Sequence, residues 1–122
     1  MRHTVRGIII KDKKVLLVTG HGADFYWTPG GGVEAGETVV EALHREIKEE
    51  LGVSVTNYKP YQSYNYDDQK VDNFIIEIDG DITVGQEVTH TAWYNSQSVD
   101  ITPSNGFIQT LKPQMIKDGL IN

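Results

Sequence analysis

Residues 31–53 read GGVEAGETVVEALHREIKEELGV and follow directly on Trp27-Thr28-Pro29-Gly30. Pro29-Gly30-Gly31-Gly32 is expected to form a tight turn in which glycines leave backbone amides and carbonyls bare to a ligand. A helix follows. Thr38 and Glu41 have the T-x-x-E spacing of a capping box, in which hydroxyl and carboxylate satisfy free amides at the helix start. Val39, Val40, Leu43, Ile47 and Leu51 recur at helical spacing, and Gly52 stands where a left-handed terminating residue is wanted.

The acids on that helix carry its chemistry. At 3.6 residues per turn, Glu46, Glu49 and Glu50 share a sector roughly 100° wide, and Glu50 falls beside the apolar stripe. Two readings stay open. The run is either a solvated face with an i,i+4 partner such as Glu41 to Arg45, or a ligand set in which a cation offsets the cost of crowding and burying carboxylates. All-oxygen donors suit Mg²⁺ or Mn²⁺, with a glycine carbonyl as a further oxygen.

The spacing of Gly31, Glu37, Arg45-Glu46-Ile47, Glu49-Glu50 and Gly52-Val53 resembles the Nudix box of the Nudix hydrolase family at every defined position. Trp27 and Pro29 before the box, and Glu87 with Trp93 after it, also look like the family. The resemblance implies an α+β fold, the Nudix-type α/β/α sandwich with a mixed β-sheet, over one domain spanning residues 1–122. It implies metal-dependent hydrolysis of a diphosphate linkage in a nucleoside diphosphate joined to a group X.

The resemblance also distributes roles. Glu49 and Glu50 become metal ligands, with the Gly30 carbonyl as a third oxygen. Glu46 is a general base or further ligand, a role shared with Glu87. Arg45 orients a catalytic carboxylate through a bidentate pair, Glu37 ties the loop to the helix, and Gly31 lies at the substrate. Among substrates, a nucleoside triphosphate split to monophosphate and pyrophosphate, as in the MutT type, leads. Gly32 departs from that type, where the position is often basic. ADP-ribose or a nucleotide sugar comes next, although Asp68 stands near where a proline often marks ADP-ribose members and Pro60 is too early; dinucleoside polyphosphates follow. A non-catalytic nucleotide sensor is the alternative of another class, although such domains commonly lose box carboxylates that are kept here.

Composition sets bounds on these readings. The chain has 122 residues, enough for one core, and no run long enough for a membrane helix. Without a signal-type N-terminus, a cytoplasmic monomer or homodimer is expected. There is no cysteine, so no disulfide or thiolate site forms, and the four histidines lack paired ligand spacing for zinc. A net charge of −6 argues against sequence-independent nucleic-acid binding, while bound metal would still let an acidic enzyme take a small nucleotide.

Outward from the box, 4–10 and 14–19 are β-branched apolar runs around Lys11-Asp12-Lys13 and read as a hairpin or meander. Arg6 interrupts the first run; it either contacts a substrate phosphate or lies on an exposed face. In Phe25-Tyr26-Trp27, Trp27 is expected in the core, and Phe25 and Tyr26 are open to core packing or base stacking. Residues 54–65 and 71–78 read as strands joined at Tyr66-Asp67-Asp68-Gln69, with Tyr64 and Tyr66 on one face and Tyr58 and Tyr61 on different ones. Residues 79–86 read as a polar loop and 91–94 as a short strand. Ser104 caps a last helix carrying Phe107, Ile108, Leu111 and Met115, which Pro113 is expected to kink or break.

Overall fold

A computed structural model describes residues 2–85 and 87–122. The strands are β1 (Arg2–Ile8), β2 (Ile10–Lys11), β3 (Lys14–Thr19), β4 (Gly30–Gly32), β5 (Ser54–Tyr66), β6 (Gln69–Asp79) and β7 (His90–Tyr94). Helix α1 spans Val39–Leu51, and a π-helical turn at Phe107–Leu111 runs into α2 at Lys112–Lys117. The fold is α+β, with a four-stranded mixed sheet in the order β4-β1-β6-β5 and a three-stranded antiparallel sheet in the order β2-β3-β7.

The first apolar run does not form one long hairpin with the second. It splits at Ile9, whose carbonyl accepts from Leu16 N–H at 2.9 Å. Ile10–Lys11 pairs with β3, while Arg2–Ile8 runs parallel to β6 in the other sheet. The turn between β2 and β3 is therefore short, with Asp12 and Lys13 both at positive φ, as tight hairpins require. Asp67 and Asp68 make an equivalent turn between β5 and β6. Residues 80–85 lack regular structure, and Gln86 lies outside the described residues.

Alternation along β1 divides the core in two. Val5 packs with Leu43, Ile47 and Leu51 of α1 in one cluster, whereas Ile8 packs with Phe107, Leu111 and Met115 in the other. Helices thus cover opposite faces of the mixed sheet, as the sandwich reading expects. Pro113 neither breaks the last helix nor stands alone as its kink. The chain takes π geometry just before it, with Lys112 N–H donating to Phe107 O, and the widened turn accommodates a residue that cannot donate. No helix among the described residues is long and apolar enough to cross a membrane.

Candidate active site

Helix α1 begins and ends as its sequence dictates. Thr38 Oγ1 accepts from Glu41 N–H at 3.1 Å, Glu41 accepts from Thr38 N–H at 2.8 Å, and left-handed Gly52 terminates the helix. Glu41 is consumed by this cap, so the expected Glu41–Arg45 pair does not form. Arg45 turns instead to the loop before the helix.

Its guanidinium is the hub of the site. Nε and Nη2 donate to the two oxygens of Glu37 at 2.7 and 3.0 Å, Nη1 donates to Glu46 at 2.9 Å, and Nη2 also reaches Gly32 O at 3.0 Å. The bidentate partner of Arg45 is therefore Glu37, and Glu46 is held by a single bond. Hydrogen bonds from Arg45 and from Glu34 N–H hold the Glu37 carboxyl down at about 2, and the same pairing raises the guanidinium of Arg45.

Residues 30–32 are not the expected tight turn. They form β4, paired antiparallel with β1 through Arg6–Gly30, Val5–Gly31 and Thr4–Gly32. Nor are their polar groups all bare, because Gly30 N–H donates to Glu50 Oε1 at 3.1 Å and Gly32 O accepts from Arg45. Gly30 sits at φ 145°, and a Cβ there would lie 2.0 Å from Val5 O. A Cβ on Gly31 would lie 2.6 Å from the Glu46 carboxylate, so that glycine is needed for the acid to approach the strand.

The three helix acids differ sharply in setting. Glu50 is 8% exposed, Glu46 has a side chain 14% exposed, and Glu49 is 59% exposed with one tie to Arg45 at 3.4 Å. Burial pushes the Glu50 carboxyl up to about 8; the Gly30 amide opposes the shift and nearby Glu46 adds to it. Glu87 is exposed, in the loop that closes the end of α1 through Thr83 N–H to Leu51 O and Gly85 N–H to Glu50 O. Among the described residues no three His, Cys, Asp or Glu side chains stand together as a cation cage. An oxygen donor set containing a buried, poorly compensated carboxylate nevertheless fits a hard divalent ion, and Mg²⁺ in particular is commonly held by one or two carboxylates plus waters and substrate phosphates.

On the other face of β1 lies a cavity of about 270 Å³. Phe25, Trp27, Tyr64 and Tyr66 supply aromatic walls, Val71 and Leu111 an apolar surface, and Arg6, Gln69 and Ser104 polar groups. Arg6 is thus not on an exposed face: its Nη1 donates to Thr28 O at 3.0 Å. Burial lowers its pKa, and Glu50 and Tyr64 act against that shift. Arg6 consequently stands between the acids of α1 and the aromatic cavity.

The expected aromatics sort differently. Tyr26 packs into the second core and bridges to Pro103, away from the cavity lining, whereas Phe25 and Trp27 meet edge-on at 5.6 Å beside it. Trp27 also packs against the first core, as expected. Tyr64 and Tyr66 share the cavity face; Tyr61 binds Asp118 at 2.6 Å, and Tyr58 stands edge-on to Phe74. Gln69 was not expected at the site. Its signal was hairpin parity, since it pairs opposite Tyr66 across the two-residue turn and must share its face.

The α+β fold, a mixed sheet with two helices, matches solved Nudix hydrolase structures. The NUDIX domain family model matches residues 1–110, and the chain belongs to that family. Over 116 residues it is 31% identical to the NAD-capped RNA hydrolase NudC of Escherichia coli O9:H4, covering 90% of this chain and 44% of that protein. Over 52 residues it is 54% identical to an ADP-ribose pyrophosphatase of Methanocaldococcus jannaschii, covering 40% and 31% respectively. The chain thus spans less than half the length of these relatives. A solved MutT structure, from a study of Aliivibrio salmonicida and Vibrio cholerae MutT, superposes with a TM-score of 0.80 at 24% identity, covering 96% of this chain and 98% of that one.

Proposed function

We propose that the protein hydrolyses a diphosphate linkage in a nucleoside diphosphate joined to X, with a nucleoside triphosphate as the leading substrate and monophosphate plus pyrophosphate as products. The observation that carries this reading is Arg6, which lines the aromatic cavity and pairs across the sheet with Gly30, whose N–H donates to Glu50. A base enclosed by Tyr64, Tyr66 and Phe25 directs its phosphates past this guanidinium toward α1.

Nudix hydrolases generally use divalent metal ions. Glu46, Glu49 and Glu50, with the Gly30 carbonyl, would hold Mg²⁺ or Mn²⁺. Such an ion neutralises phosphate charge and acidifies water. The remaining work falls to side chains. Glu46 or Glu87 takes the proton from the attacking water, Arg6 binds the diphosphate, and Arg45, braced by Glu37, fixes Glu46 against Gly31.

ADP-ribose is the second reading, favoured by the local identity to the M. jannaschii pyrophosphatase. The small cavity suits one nucleoside better than the two of a dinucleoside polyphosphate. The test is release of phosphate or pyrophosphate from nucleoside triphosphates, ADP-ribose, nucleotide sugars and dinucleoside polyphosphates, with Mg²⁺, Mn²⁺ or chelator. Chelator-sensitive turnover of triphosphates supports the leading reading, and turnover confined to ADP-ribose supports the second. Silence from folded protein that binds nucleotide replaces both with a sensor role.

A further inference from the structure

Within the cavity, the hydrogen-bonding capacity is lopsided. None of its lining residues is an Asp or Glu. Its acceptors are largely engaged already: Phe25 O accepts from Thr19 Oγ1 at 2.7 Å, Thr28 O from Arg6, Gly106 O from Thr110 Oγ1, and Ser104 Oγ from Phe107 N–H at 3.3 Å. The donors are not. Ser104 keeps its O–H, Arg6 keeps guanidinium N–H groups beyond the one on Thr28, and Gln69 keeps a whole amide NH₂.

The orientation of Gln69 is set from behind. Thr4 is wholly buried, and its hydroxyl donates to Gln69 Oε1 at 2.8 Å. A buried hydroxyl without an acceptor is costly, so this bond locks the carbonyl side of Gln69 toward Thr4 and leaves the NH₂ for the cavity. Asn73, whose Oδ1 lacks a partner, is 2% exposed and is not part of the lining. The hydroxyls of Tyr64, Tyr66 and Thr28 can donate or accept and tip the balance neither way.

We propose that Gln69, oriented by Thr4, selects bases with a carbonyl at the purine six-position or pyrimidine four-position, namely guanine, hypoxanthine, uracil or thymine, over adenine and cytosine, which carry an amine there. Resting on the nucleotide reading above, this inference narrows the substrate class. The amine at the six-position of adenine or the four-position of cytosine is a donor, and facing the Gln69 amide it meets a donor. A base carbonyl receives the Gln69 amide instead. Thr4 acts as a positioning residue and Gln69 as the reading group.

The test is calorimetric titration of the full chain, with Mg²⁺ present, by GMP, IMP, UMP, AMP and CMP. IMP and AMP form the cleanest pair, differing in carbonyl against amine at the six-position and in the proton that hypoxanthine carries on the neighbouring N1. Roughly tenfold or tighter binding of IMP over AMP is expected from one unpaired buried donor. Gln69→Leu should bring that ratio within about threefold. Thr4→Val should do the same by freeing the amide to turn, and Thr4→Ser should restore the preference, a rescue that general loosening of the strand would not give. Equal binding of AMP and IMP, a preference untouched by both substitutions, or no monophosphate bound at all overturns the proposal. Base preference without turnover of any substrate would sink the hydrolase reading alone; turnover without base preference would sink this one alone.

Discussion

Helix α1 with its glycine strand, and the cavity across β1, divide the molecule into two kinds of site. The first is drawn almost entirely from residues 30–50, and its key polar groups meet partners inside that stretch: Glu37 and Glu46 on Arg45, Glu50 on Gly30, Gly32 on Arg45. The second gathers Arg6, Phe25, Tyr64, Gln69 and Leu111 from across the chain, and its surface is mainly aromatic and apolar. On the function proposed above, the difference separates reaction from selection: a short, internally bonded element would carry the charge chemistry, and a surface assembled from distant segments would choose what is presented to it.

Glu50→Gln probes that division most severely. Turnover should fall about 10³-fold or more, because the buried carboxylate proposed to hold the metal is lost while shape is kept. Nucleoside monophosphate binding in the cavity should survive with its base preference. Wild-type turnover from this variant would mean that the acids of α1 are structural and the division false.

A stability measurement examines the same carboxylate without substrate. The folded state holds the Glu50 carboxyl at about 8 against an ordinary 4.5, so it binds that proton more tightly than the unfolded chain does. The stabilisation from protonation is full below about pH 4.5 and is lost as pH rises toward 8, an effect on the order of a few kcal/mol. The unfolding midpoint of the metal-free protein should therefore fall over this window. Glu50→Gln should flatten the fall, and Mg²⁺ should restore the midpoint at pH 8 in the wild type. A midpoint independent of pH in metal-free wild-type protein would show that the carboxyl is not buried as described.

Arg45→Lys comes next. An ammonium cannot reproduce the fork on Glu37 while also reaching Glu46 and Gly32. Steady-state kinetics should show kcat reduced about 10- to 100-fold with KM little changed, as for other residues that orient ligands. A change mainly in KM would place Arg45 at the substrate.

How much of this was legible in sequence follows the same division. Capping box, apolar stripe and C-cap of α1 depend on contacts within a few residues, and each is found where the spacing puts it. The burial of Glu50 could be read from its position beside the stripe. The strand character of Gly30–Gly32 could not, because it depends on β1 lying alongside, more than twenty residues earlier in the chain. The parallel pairing of β1 with β6 was equally hidden, and with it the placement of Arg6 beside Tyr64. Tyr26 went to the core and Phe25 to the cavity because Tyr26 bonds through both N–H and C=O to the segment at Thr102 and Ser104, a contact invisible in local pattern. Glu41 had two local partners in the sequence, Thr38 of the capping box and Arg45 one turn on, and the backbone amide of Thr38 prevailed.

Tyr64→Leu is the gentlest intervention and bears most directly on whether reaction and selection are separable. The ring stands on the cavity face of β5, opposite Val71 in register, and its loss removes an aromatic surface while leaving the Thr4–Gln69 bond in place. Base stacking on one aromatic ring is worth roughly 1–3 kcal/mol when fully engaged, and leucine retains part of the apolar contact, so KM should rise about three- to tenfold. Because every base has a π-face, the increase should be similar for all nucleotides and the carbonyl preference should remain. The kcat should stay within about twofold, since no interaction with the α1 acids is removed. A kcat that fell as steeply as KM rose would show that the cavity aligns the diphosphate for reaction as well as holding the base, joining the two regions into one site.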